Sequence, residues 1–312
     1  MYIEQGYKGN IGLWKYFVIP LAFFGLMTLN YLLIELLNLD VEAVIQSEIK
    51  RKGSNRFLFE SLLPLAIGLF IVWGWTYLVH RQSISSLTTA RRKVDWKRIF
   101  FAFFLWGGLT VVLTSIDIYL SPDDYVFNFD APKFLVLAII AVLLVPLQTS
   151  FEEYLFRGHM MQGLGILAKN KWVPLLVTSV LFGLMHIANP EVEKLGYGIM
   201  VYYIGTGFFL AIMTLMDDGL ELALGFHAAN NLITALLVTA DWTAFQTNSI
   251  YKDVSEPALG WDALIPVFVI FPLILLIFAK KYHWKNWKEK LFGKVLTKEE
   301  FTTLQHEDVH MA

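Results

Sequence analysis

KFLVLAIIAVLLVPLQTSFEEYLFRG, Lys133–Gly158, is the stretch that decides the fold. About 20 mostly apolar residues suffice for a helix to cross a bilayer, and the run over 133–156 meets that length. It ends in Glu152, Glu153 and Arg157, charged groups that need a reason to sit beside a hydrocarbon core. Seven further segments share its length and apolarity. The expected spans are 15–37, 57–79, 99–120, 133–156, 172–189, 196–216, 219–240 and 262–280. The predicted fold is therefore all-α, a polytopic membrane bundle of about eight transmembrane helices. Residues 1–280 form a single transmembrane domain with a motif-bearing core at 140–240, and 281–312 form a basic and polar tail. The first apolar run is too long for a cleaved signal and is expected to be retained.

Composition agrees. Of 312 residues, 56% are hydrophobic, 15% aromatic and only 17% charged, against about a quarter charged in soluble domains. A net charge of −2 argues against nucleic acid as a partner, which calls for a basic domain. There is no cysteine, so thiol nucleophiles, Cys zinc sites and disulfides are excluded. Arg81, Arg91, Arg92, Lys93, Lys97 and Arg98 follow the second span, Lys169 and Lys171 the fourth, and Lys280, Lys281, Lys285, Lys288 and Lys290 the eighth. Cationic loops stay in the cytoplasm, which puts both termini there. The loop at 39–56, with Lys50, Arg51, Lys52 and Arg56, is the exception.

Three polar clusters fall in or beside the spans. Glu153 and Arg157 are four apart and share a helix face, while Glu152 points about 100° away. The two carboxylates thus take different environments. Phe182 and His186 share a face near the end of the fifth span, and Asn189-Pro190 stops that helix. His227 and Asn231 are four apart in the seventh span, with Ala228 and Ala229 permitting close helix approach. Alone, each has a structural reading: a charged helix cap, an interfacial histidine, a polar packing pair. Together they offer a carboxylate pair, two histidines and an amide on three helices. Of seven histidines, only His186 and His227 lie inside expected spans.

The pattern Glu-Glu-x-x-x-Arg, Phe-x-x-x-His, His-x-x-x-Asn resembles the CPBP intramembrane proteases, which include CAAX prenyl endopeptidases and bacteriocin-processing and immunity-type membrane proteins. The resemblance covers about residues 140–240, and Phe156-Arg157-Gly158 extends it. It implies Glu152 as the catalytic glutamate and His186 as the histidine that helps activate water. It implies His227 and Asn231 as stabilisers of the oxyanion, with Glu153 and Arg157 in support. The nucleophile would be water, reached through a polar cavity open to the cytoplasmic side. No metal or cofactor is required. Zinc held by Glu152, His186 and His227 is the competing version, since one carboxylate and two histidines are a legitimate set. The expected partners are a membrane-associated peptide or protein substrate and the lipid bilayer of a bacterial plasma membrane. A non-catalytic peptide-binding immunity or transporter-like protein is the alternative. Gly205 and Gly207 allow close helix packing without setting an oligomeric state.

Overall fold

The computed structural model describes residues 1–12 and 14–310. In chain order the helices that build it are α1 (Lys15–Leu36), α2 (Val41–Lys52), α3 (Ser54–Leu78), α4 (Trp96–Leu120), α5 (Ala131–Ala168), α6 (Trp172–Leu184), α7 (Tyr197–Asp217), α8 (Glu221–Leu237), α9 (Ala263–Lys281), α10 (Trp287–Phe292) and α11 (Lys298–His310). Six of them, α1, α3, α4, α5, α7 and α9, are long and apolar enough to cross a membrane. The chain is thus a multi-pass integral membrane protein. The fifth and seventh expected spans are shorter than predicted. With 13 residues in α6 and 17 in α8, they reach only about 20 and 26 Å, less than the ~30 Å core.

Both short helices are covered by protein, which removes the need to match the bilayer. Every residue of α8 from Glu221 to Ala229 is buried. α8 lies against α4 and α5, and α6 against α7. Glycines set the closest approaches. A Cβ on Gly225 would lie 2.0 Å from the Ile99 carbonyl oxygen, and one on Gly207 would lie 2.4 Å from that of Ser179. Gly207 therefore serves packing within the chain. α6 ends at Leu184 because the next residues close tight turns: the His186 and Ile187 N–H groups donate to the Gly183 and Leu184 carbonyls.

The helix that decides the fold runs further than expected. Instead of ending at 156, α5 continues to Ala168 through a π-helical segment, Tyr154–Met160. The reason is burial. Glu153 and Arg157, read from sequence as lying at a helix end, are both 0% exposed and pair inside the bundle. π-turns are rare and concentrate at functional sites.

The termini meet at one end of the bundle. The Tyr7 hydroxyl donates to the Leu296 carbonyl at 2.9 Å, and the Tyr7 and Phe301 rings are in contact. The segment read as a tail carries α10 and α11. It is tied down by Trp284, whose indole donates to Asp217 at 3.0 Å, and by Lys290 with Asp218. Arg91 and Arg98 of the basic connection also hold Asp217, at 2.9 and 2.5 Å. At the opposite end, strands β1 (Tyr125–Phe127), β2 (Val238–Thr239) and β3 (Tyr251–Asp253) form a small sheet in the order β1-β3-β2. The exceptional basic loop lies here as α2. Its charges are locally balanced: Arg51 and Lys52 pair with Glu48, and Lys52 and Arg56 with Glu60.

Candidate active site

Glu152 and Glu153 take the separate environments that their helical spacing demands. Glu153 Oε1 accepts from Arg157 at 3.0 Å and from His227 Nδ1 at 2.8 Å. A second Arg157 nitrogen donates to the Gly207 carbonyl at 3.0 Å, and the guanidinium lies 4.1 Å from the centre of the Phe182 ring. One arginine thus joins α5, α6 and α7. Glu153 Oε1 is the acceptor for both Arg157 and His227, so His227 donates to it from Nδ1. That fixes the ring and turns Nε2 toward Glu152, whose Oε2 lies 3.6 Å away. The separation exceeds a direct hydrogen bond and suits two groups that share a water or a substrate oxygen. Glu152 is 6% exposed.

His186 is placed differently. Its Nδ1 lies 2.9 Å from the Phe182 carbonyl one turn back, which makes Nδ1 the donor and leaves Nε2 as an acceptor. Its ring stacks on Tyr203 at 4.5 Å and 10°. Among the described residues it makes no hydrogen bond to Glu152. The two histidines are related through Phe182, whose ring centre is 5.2 Å from His186 and 5.7 Å from His227. Asn231 joins Glu152 indirectly, by donating to Gln148 at 3.3 Å.

Gln148 was missed from sequence. It lies one turn before Glu152, is 3% exposed, and donates to Glu152 Oε1 at 2.5 Å. The available signal was its position: a buried glutamine four residues from a carboxylate on the same helix face. Tyr203 gave no comparable signal, because aromatics are abundant throughout the chain.

Among the described residues no three His, Asp or Glu side chains are grouped to hold a metal ion. A cavity of about 590 Å³ lies at the end away from the termini, lined by Tyr31, Glu35, Asp40, Asn189 and Glu193 among others. Ile187, Ala188 and Asn189, the turn following His186, form one wall. Glu152, His186, His227 and Asn231 are not among its lining residues.

The fold and these contacts define a multi-pass membrane protein with a carboxylate, histidine and arginine cluster enclosed in its bundle. Residues 131–233 match the Rce1-like type II CAAX prenyl endopeptidase family, and the chain belongs to that family. It is 32% identical over 291 residues to the uncharacterized protein YyaK of Bacillus subtilis strain 168, covering 88% of this chain and 95% of that one. An uncharacterized protein of Mycoplasma capricolum is 28% identical over 147 residues, 45% of this chain and 41% of its own length. No solved structure matches. Family membership carries the coarse function of a membrane protease, a hydrolase.

Proposed function

We propose that the chain is an intramembrane endopeptidase of the bacterial plasma membrane. It hydrolyses a peptide bond of a membrane-associated protein or peptide with water activated by Glu152. The observation that carries this reading is the buried Glu152 carboxylate, with His227 Nε2 at 3.6 Å and His227 itself anchored by Glu153. A carboxylate kept from bulk water beside a fixed imidazole is a competent general base. Glu152 takes a proton from water, which His186 orients through Nε2. The hydroxide adds to the scissile carbonyl carbon. Negative charge on the former carbonyl oxygen is met by an N–H group of Asn231 beside the His227 imidazole; one such donor is worth about 3 kcal/mol. Collapse breaks the C–N bond, and Glu152 returns its proton to the leaving amine. Glu153 and Arg157 act by holding His227.

Water activation by Glu152 requires no metal, whereas the competing version places zinc on Glu152, His186 and His227. The test is metal analysis of a cleaving preparation. Cleavage that persists through chelation, with well under one zinc per chain, is expected. Stoichiometric zinc whose removal reversibly abolishes cleavage would overturn the mechanism.

A further inference from the structure

The hydrogen bonds to Glu152 begin two helices away, at a group that can only donate. The indole N–H of Trp106 on α4 donates to Asn230 Oδ1 at 3.0 Å. A primary amide has one accepting end and one donating end, so Asn230 must present its nitrogen onward. That nitrogen donates to Asn231 Oδ1 at 3.0 Å. Asn231 Nδ2 donates to Gln148 Oε1 at 3.3 Å, and Gln148 Nε2 donates to Glu152 Oε1 at 2.5 Å. Three amides in series have two consistent orientations. In the other, Gln148 would turn its oxygen to Glu152, and only a protonated Glu152 could answer it.

The first link cannot reverse. Trp106 is 7% exposed and its ring packs against Phe226 at 4.5 Å and Phe271 at 6.0 Å. We propose that Trp106, Asn230 and Gln148 form a relay that sets polarity, in which the indole N–H dictates that Glu152 always meets an N–H and so stays a proton acceptor. The inference deepens the reading of Glu152 as the base and rests on it. All three are positioning residues, and Asn231 keeps its second N–H for the substrate. Hydrogen bonds to the charged form of a carboxylate favour that form. The other charged or titratable groups around Glu152 are Glu153 and Arg157 on α5 and His227 on α8, with His186 beyond Phe182. None is altered by the test.

The test titrates the protonated-carboxyl infrared band of the full chain in phosphatidylglycerol vesicles, using the Glu152→Gln spectrum to isolate the Glu152 contribution. Trp106→Phe keeps the ring and deletes the N–H, Gln148→Leu removes the last donor, and Phe226→Leu perturbs the packing alone. Trp106→Phe and Gln148→Leu should each move the midpoint of the Glu152 band to higher pH by about one unit, with Phe226→Leu unchanged. An unmoved midpoint in either folded relay variant overturns the relay, as does an equal shift in Phe226→Leu. Cleavage separates this from the wider reading. A relay variant should lose rate in kcat at neutral pH and regain it at alkaline pH, with KM unchanged. Shifted bands in a protein that never cleaves would keep the relay and sink the protease.

Discussion

Removing Arg157 should destabilise the protein more than removing any exposed charge. Its guanidinium is fully buried, bonds Glu153 and the Gly207 carbonyl at 3.0 Å each, and lies over Phe182. Arg157→Met leaves Glu153 buried with His227 as its only polar side-chain partner among the described residues and strips the Gly207 carbonyl of its side-chain donor. Breaking one half of a buried pair costs about 3–5 kcal/mol, whereas exposed pairs such as Arg51 with Glu48 contribute less than about 1 kcal/mol. Arg157→Lys should recover only part of the loss, because a single ammonium cannot span two acceptors and stack on a ring. The sharper comparison is Glu153→Gln with Arg157→Met, which removes both charges and keeps an oxygen for His227 Nδ1. It should regain more than half of the lost stability. Denaturant unfolding in mixed micelles, followed by fluorescence of the 10 tryptophans, measures all of these. The reasoning is refuted if Arg157→Met lies within about 1 kcal/mol of the parent, or if the double variant is no better than the single.

Gly207→Ala should destabilise by about 1–3 kcal/mol, since its Cβ would meet the Ser179 backbone; Gly74→Ala, with nothing within 4 Å, should be neutral or slightly stabilising in the same unfolding assay. His80, outside the spans and 1% exposed, is pushed down to about 4 from the ordinary 6.5 by burial, with Lys15 adding to it. The unfolded chain therefore takes up a proton that the folded chain refuses. Stability from this group is complete above about pH 6.5 and is lost as pH falls toward about 4; melting curves across that window should show the loss, and His80→Phe should flatten it.

The membrane fold was legible because hydrocarbon imposes a length and an apolarity that few soluble helices share. Six helices meet that rule directly. The lengths of α6 and α8 were not legible, because a helix sheathed in protein is freed from bilayer thickness and sequence does not say which helices are sheathed. The continuation of α5 to Ala168 was hidden for a related reason. Glu153 and Arg157 look like a boundary until the second charge is known to bury the first. For the candidate site, helical periodicity placed Glu153 with Arg157 and set Glu152 apart. The contact from Glu153 to His227 crosses between helices 74 residues apart, and no local spacing encodes it. Nor does any local spacing encode which end of the Gln148 amide faces Glu152, or that the Trp106 indole meets Asn230 across 124 residues.

The most direct test of the central claim compares new protein termini in host membranes expressing this chain or its Glu152→Gln variant at matched levels. Loss of a general base costs about 100-fold or more in rate. Termini clustered near membrane segments should therefore appear with the parent and be absent with the folded variant. Identical termini from both, with both proteins folded, would contradict proteolysis by Glu152.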